Sequence, residues 1–429
     1  MDIQALLKPL QNCPCGKEHT VNIKAVEIGR GLKNKIADIL TANDFPKNIL
    51  AVADKNTLAA ADGILDILRN GGFTVKTQIY DNLRVADQID VDKIIALSAD
   101  VDGVVSIGTG SLNDICRRAC LVADKEFAIF ATAPSMDGFA SDTAPITDKN
   151  FKTSLPARQP SVIIGDTEIL AAAPAELKSA GYGDMIAKFV AVADWRIAHL
   201  AIGEYYCENV ANITRTAVRK IVSMTDRVTA NDPETAGAIM EALVLTGLAM
   251  KLCGNSRAAS GTEHVISHFW EIKKLEQGLL SDFHGKKVGV ATLMTSRLYY
   301  DIIENADPSK FTADPTDWDK VYAVYGKNFE DDVRRLNSPT VTDETSPEIL
   351  RENWDAICAA VREELPPPEK LEALLKTTGA ATTFEEIAVS EDLGLLGLEY
   401  HTYMRHRMLL ARLLPMLHCD IDYRKIAAV

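Results

Sequence analysis

The sequence lacks a basic surplus, a disulfide framework, an internal repeat and any low-complexity tract. Each absence excludes something. Lys and Arg number 46 against 60 Asp and Glu, leaving a net charge of -14. A molecule without a basic face is a poor partner for nucleic acid or an anionic membrane. A phosphorylated ligand would need a local cluster of donors, because the molecule as a whole repels it. The eight cysteines, at 13, 15, 116, 120, 207, 253, 358 and 419, follow no framework spacing. No basic segment followed by an apolar one opens the chain, so the expected setting is a reducing cytoplasm. Cys13, Cys15 and His19 (CPCGKEH) offer too few ligands for a closed tetrahedral zinc site, and no matching second pair follows. That motif is expected to be a structural turn or an adventitious site. Long apolar runs are also scarce. The longest, Thr235 to Gly254, is interrupted by Glu241 and glycines and preceded by Asn231-Asp232-Pro233, an N-cap with proline in the first turn. It reads as a buried core helix rather than a membrane span.

What is present is an alternation of apolar runs and helical periods. At 429 residues the chain is too long for one ordinary core. Strands are predicted over Lys47–Asp54, Phe73–Tyr80, Val101–Ile107 and Glu126–Thr132, with a fifth over Ser161–Gly165. Helices are predicted over Asn56–Asn70, ended by Gly71-Gly72, and over Ser111–Ala123. Alternation of this kind specifies a mostly parallel sheet covered on both faces. After Asp166 the periods are helical, with Val288–Leu293 alone ambiguous between strand and helix. The expected organisation is a Rossmann-like α/β domain over 1–166 and an all-helical domain over 167–429, with the site in the cleft between them.

Two constellations carry chemistry. Gly108-Thr109-Gly110-Ser111 follows a strand and opens a helix. Glycine lets the backbone turn close to a pyrophosphate, and a helix start presents free N–H groups. The Ser111 hydroxyl can donate to a phosphate oxygen, Asp114 can cap the helix, and Asp54, ending an earlier strand, can bond an adenosine ribose. The second constellation is Gly181-Tyr182-Gly183-Asp184, Ser260 to His268, and His284-Gly285. It offers one carboxylate and two or three imidazoles, a set suited to a divalent metal with an open position. Flanking glycines are expected to let a helix start at Asp184 close to another element. Between these stretches lies a small, polar loop, Ala131 to Ser141, in which Asp137 can accept a hydrogen bond. Were the ligand phosphorylated, Lys188, Arg257 and backbone N–H groups near Ser260 would be the expected donors to it.

The turn GTGS, the loop APSMDGFAS and the stretches GYGDMIAK, SGTEHVISH and HGKKVGVAT occur in the order seen in sn-glycerol-1-phosphate dehydrogenases. The chain resembles that family, which belongs with iron-containing alcohol dehydrogenases, glycerol dehydrogenases and dehydroquinate synthases. CPCGKEH and the Tyr403 to Arg407 stretch are similar to the bacterial branch. The resemblance implies a dehydroquinate synthase-like fold, NAD or NADP as cofactor, and one divalent metal, Zn²⁺ or Ni²⁺ before Fe²⁺. It implies Asp184, His264 and His284 as metal ligands and His268 as a proton relay. It further implies Asp137 as a substrate contact, Gly108, Thr109, Gly110 and Ser111 as the pyrophosphate turn, and Thr132 and Ser135 on the nicotinamide side. The implied substrate is a phosphorylated triose, in phospholipid or glycerophosphate metabolism, and the implied assembly a homodimer or larger. Ala258 and Lys286 depart from the family pattern. A polyol dehydrogenase acting without a phosphate, a dehydroquinate-synthase-like lyase and a non-enzymatic nucleotide binder are the alternatives. The lyases carry a glutamate at the position of Asp184.

Overall fold

Short apolar runs with few polar interruptions become strands buried on both faces, as a parallel sheet requires. The computed structural model describes residues 1–149 and 151–428. Its strands are β1 Ala25–Gly29, β2 Asn48–Asp54, β3 Thr74–Tyr80, β4 Gly103–Gly108, β5 Glu126–Ala131, β6 Thr143–Asp148, β7 Phe151–Pro156 and β8 Val162–Asp166. Six of them form a parallel sheet in the order β1-β8-β5-β4-β2-β3, while β6 and β7 pair as an antiparallel hairpin. Side chains alternate between two cores. Leu50, Val52, Val104, Phe127, Ile129 and Ile163 point to one, and Ile49, Ala51, Val105, Ile107, Phe130 and Ile164 to the other.

The strand order fixes where a ligand can sit. From β2 the chain goes outward to β3, then returns to place β4 on the opposite side of β2. The carboxyl ends of β2 and β4 therefore flank a crevice that no crossover covers, the usual site in an open α/β sheet. The register pairs Ala53 with Ile107, so Asp54 and Gly108 emerge side by side at its mouth.

Sequence and structure differ in three places here. The helix expected over 56–70 is two, Lys55–Ala60 and Ile64–Asn70, divided where Gly63 takes a left-handed φ of 80°. Strand β1 is an additional edge strand, and the β6–β7 hairpin lies between the expected Ala131–Ser141 loop and the expected fifth strand, where no element is predicted.

Beyond Asp166 no strand occurs among the described residues, and Val288–Leu293 lies inside the helix His284–Asn305. The helix Pro233–Cys253 has Asp232 as N-cap and proline in its first turn. It is long and apolar enough to cross a membrane, yet 83% of its most apolar window is buried inside the protein. Its Met240, Leu243 and Leu248 share one core with Phe127 and Ile163 of the sheet. The α/β part and the helical part are thus joined by continuous packing, and the cleft between them is braced.

Candidate active site

The Gly108–Ser111 turn sits at the crevice. A Cβ at Gly108 would meet Leu112 Cδ1 at 2.5 Å, so a side chain there would have to displace the buried Leu112. Gly110 has φ 48° and ψ -121° and is the N-cap of the helix Ser111–Val122. No side chain caps that helix, which leaves its first-turn N–H groups facing the crevice. Thr109 Oγ1 lies 3.0 Å from Ser135 Oγ, tying the turn to the loop after β5. Ser111 Oγ donates to the Arg84 carbonyl at 3.1 Å.

A cavity of about 610 Å³ opens from this turn toward the helical part. Asp54, Thr109, Gly110, Ser111, Asp114, Ser135, Asp137, His264, His268 and His284 all line it. Thr132 does not; it is buried off the cavity. Asp54 spends one oxygen capping the helix Lys55–Ala60, where it accepts from Thr57 N–H at 2.8 Å. Asp114 does not cap its helix. It lies within the first turn, 3.6 Å from Arg117 Nε, and burial pushes its carboxyl up to about 6 against the pull of Arg117.

Opposite the turn, three residues from three helices converge. Asp184, His264 and His284 each place a ligand atom within 4.8 Å of the others. Asp184 lies inside the helix Ala175–Ile186 and not at a helix start as expected. The flanking glycines serve close passage instead. A Cβ at Gly181 would stand 1.9 Å from Pro134 O, and one at Gly183 2.4 Å from Gly285 O. His264 and His268 share a face of the helix Thr262–Glu276, one turn apart. His284 opens the helix His284–Asn305.

The electrostatics favour a cation at this point. His264 Nδ1 lies 2.6 Å from Glu263 Oε1, which leaves Nε2 facing Asp184 Oδ1 at 3.5 Å. Such carboxylate–imidazole pairing orients metal-binding histidines. Asp184 also accepts from the Asp137 N–H at 2.9 Å and from Lys188 Nζ at 2.9 Å. Lys188 Nζ is 2.6 Å from Asp137 Oδ2. Asp137 and Asp184 thus share a single ammonium while Glu263 faces His264, so carboxylates outnumber cations in this buried network. Burial opposes charge on His264, but Asp184 and Glu263 outweigh it and hold the ring up to about 9, so a proton occupies the place of a cation. Burial pushes His284 down to about 3, keeping a lone pair free for a metal. Burial, with Lys152 and Arg405 nearby, holds His268 well below the ordinary histidine value.

The expected phosphate donors are engaged elsewhere. Lys188 is locked between Asp137 and Asp184, and Arg257 is buried against Glu204 and the Met408 carbonyl. Lys286 bridges Glu176 and Asp282 at the cavity rim. Other cations stand nearer. Lys152 and Lys287 both face the cavity and share one carboxylate, Glu271, at 2.9 and 3.0 Å. Arg407 donates to the Ser260 carbonyl at 2.9 Å and to Ser256 Oγ at 2.8 Å, and both serines line the cavity. Among the described residues neither Arg405 nor Arg407 has a carboxylate partner within 4.0 Å, and burial, with Arg257 alongside, pushes Arg407 down to about 9. Sequence reasoning missed Arg407 because its contacts close a span of 147 residues.

With this geometry in place, likeness to known proteins becomes informative. Residues 27–174 match the iron-containing alcohol dehydrogenase family. The chain is 32% identical over 294 residues to the glycerol-1-phosphate dehydrogenase (NAD(P)+) of Halalkalibacterium halodurans, covering 67% of this chain and 73% of that one. It is 30% identical over 341 residues to the enzyme of that name from Bacillus subtilis, covering 76% and 86%. Among solved structures, a probable glycerol dehydrogenase from Sinorhizobium meliloti aligns with a TM-score of 0.63 at 16% identity, covering 94% of this chain and 98% of the other. The NADH-dependent butanol dehydrogenase A of Thermotoga maritima gives 0.61 at 15%, covering 96% and 99%. These structures share the fold, a Rossmann-like sheet followed by a helical part.

Proposed function

Since the chain belongs to the glycerol-1-phosphate dehydrogenase family, we propose that it reduces dihydroxyacetone phosphate to sn-glycerol 1-phosphate with NADH or NADPH. The observation that carries this reading is the meeting of Asp184, His264 and His284 beside a cavity whose far wall is an uncapped, glycine-bearing helix start. Asp184, His264 and His284 would hold one divalent cation, Zn²⁺ or Ni²⁺ before Fe²⁺. Gly108 to Ser111, with Asp54, Asp114 and Ser135, would face the dinucleotide. The division into a dinucleotide-binding part, 1–166, and a metal- and substrate-binding part, 167–429, belongs to the same proposal. So do a homodimer or larger assembly and a cytoplasmic setting, the latter supported by eight free cysteines.

When bound, the cation supplies Lewis-acid polarisation of the C2 carbonyl and the nicotinamide supplies hydride. The chain's own groups position substrate and move the proton. Asp137 is pinned by Lys188 at one oxygen and offers the other to a substrate hydroxyl. His268 stays neutral because burial disfavours its charge, so it relays a proton rather than storing one. It would release the proton from one ring nitrogen to the forming alcohol oxygen as the other nitrogen takes one up from solvent water in the cavity. Ser256 and Ser260, backed by Arg407 with Arg405 nearby, give the phosphate end its donors and its positive charge.

The test compares dihydroxyacetone phosphate with dihydroxyacetone, followed by NADH and NADPH absorbance, in wild type and Arg407→Ala. Metal-dependent turnover should favour the phosphorylated ketone. Loss of a charge-assisted bond should raise its KM about 10- to 100-fold in the variant. The KM for dihydroxyacetone should stay within about twofold, because that ketone has no phosphate to lose a partner. Turnover of the unphosphorylated ketone alone makes the protein a polyol dehydrogenase. An equal KM change for both substrates removes Arg407 from the phosphate site.

The turn has its own test. Gly110→Val forces a β-branched residue to a φ of 48°, which such residues avoid. Titration of NADH fluorescence should show affinity reduced about tenfold or more, the effect of about 1.4 kcal/mol of strain or lost contact. Unchanged affinity would separate this turn from the cofactor.

A further inference from the structure

The N-terminal motif CPCGKEH acquires a fourth ligand in three dimensions. Cys13, Cys15, His19 and Cys207 each place a ligand atom within 4.8 Å of the others. Cys13 Sγ lies 3.5 Å from Cys207 Sγ. Cys15 Sγ lies 3.2 Å and Cys207 Sγ 3.8 Å from His19 Nε2. A tetrahedral zinc with its usual bond lengths separates two sulfurs by about 3.8 Å and a sulfur from a nitrogen by about 3.6 Å. The four donors already stand near the corners of that tetrahedron.

The surroundings match the donor set. His19 Nδ1 is 2.8 Å from the Leu252 carbonyl, which fixes the ring with Nδ1 protonated and the Nε2 lone pair toward the sulfurs. Asn209 Nδ2 donates to Cys13 Sγ at 3.3 Å, and the Tyr205 hydroxyl donates to Cys15 Sγ at 3.3 Å. Cys207 is the N-cap residue of the helix Glu208–Val222, whose start favours negative charge. Lys17 Nζ sits 3.6 Å over the Tyr205 ring and adds a local cation. Cys253 is nearby but turns its thiol to the Asn255 carbonyl at 2.8 Å, so it is not a fifth donor.

We propose that Cys13, Cys15, His19 and Cys207 form a second metal site, a closed Cys₃His zinc centre separate from the Asp184 cluster. Four protein ligands leave no open position, so this centre is structural. It staples the N-terminal segment to the start of one helix and the end of another, the buried Pro233–Cys253 helix. Binding displaces thiol protons, so the site fills on folding and is pH-dependent. The fourth donor of this proposal leaves no local mark in the sequence, because Cys207 lies 188 residues from His19.

The test uses the full-length chain, purified under reducing conditions and probed with Zn²⁺ and Co²⁺. Mercurial titration of wild type should release one zinc per chain as three thiols react. The cobalt-loaded protein should show an intense near-ultraviolet thiolate-to-cobalt band, which an Asp/His/His site cannot produce. The band should persist in His264→Ala and disappear in Cys207→Ser and Cys15→Ser. His19→Cys should keep the metal, whereas His19→Ala should lose it. These readouts do not depend on the activity proposed above. The wild-type titration and spectrum remain decisive if a cysteine variant fails to fold. No thiol-linked zinc and no thiolate band in reduced wild type would overturn the site. A Cys13–Cys207 disulfide in freshly prepared protein, read by mass spectrometry, would overturn it too.

Discussion

His264→Ala should abolish most turnover and release the catalytic metal while leaving the fold in place. The ring lies between Asp184 and Glu263, and its removal strips one of the three proposed ligands from a site that contributes little to the apolar cores. Lewis-acid polarisation is worth several kcal/mol, so kcat should fall about 10³-fold or more. Glu263 keeps the Gly261 N–H at 2.8 Å. Asp184→Ala should lose the same activity but differ in stability. It leaves the buried ammonium of Lys188 with Asp137 alone and the Asp137 N–H without an acceptor. An orphaned buried N–H costs about 1–3 kcal/mol, so this variant should melt below His264→Ala. Metal stoichiometry, kcat and a thermal melt on both proteins check the pair. Retention of metal and rate in either variant would mean that the residue is not a ligand.

The sequence made the sheet legible because β2, β4, β5 and β8 are buried on both faces and so read as unbroken apolar runs. It hid β1, an edge strand carrying Glu27, and the β6–β7 hairpin, where Pro145 and half-exposed positions blur the alternation. The break at Gly63 was masked because the apolar periodicity continues on both sides of it. In the site, the one-turn spacing of His264 and His268 was local and readable. The spacing of Asp184 and Lys188 is equally local, and it too places both on one face. Spacing could not say that Lys188 points back to Asp184 and across to Asp137 rather than to a phosphate. Contacts between distant segments left no local mark. Arg407 with Ser260 and Cys207 with His19 each close spans that no window covers. Asp114 was misread for another reason: an acidic residue near a helix start can cap, or it can pair with a cation one turn on, as it does with Arg117.

Gly285→Ala should damage both stability and turnover, although the added methyl touches none of the proposed ligand atoms. The Asp184 helix and the His284 helix cross backbone to backbone. A Cβ at Gly285 would stand 1.9 Å from the Ala180 carbonyl oxygen and 2.5 Å from its carbon. Both atoms belong to helix backbone, so no rotamer change relieves the clash, and the helices must part by more than 1 Å to remove it. His284 is the residue before Gly285, and Asp184 follows Gly183 on the facing helix, so parting moves one ligand away from another. Overpacking of this kind costs about 1–3 kcal/mol of stability. A misplacement of about 1 Å at a catalytic centre costs about 10²-fold in rate. Metal sites tolerate only about 0.2 Å in their ligand distances, so affinity for the metal should fall with the rate. Gly289→Ala, one turn further along the same helix, is the graded control. Its Cβ would lie 3.3 Å from Gly183 Cα and 3.4 Å from Leu375 Cδ2, so the same two helices need give only a few tenths of an ångström, far less than at Gly285. That variant should keep its metal and stay within about fivefold of the wild-type rate, an effect of about 1 kcal/mol. If Gly285→Ala behaves like Gly289→Ala in both melt and kcat, the helix crossing does not set the ligand geometry. If only Gly285→Ala loses metal, then the glycines around Asp184 and His284 are there to bring two helix backbones close enough for their side chains to share one cation.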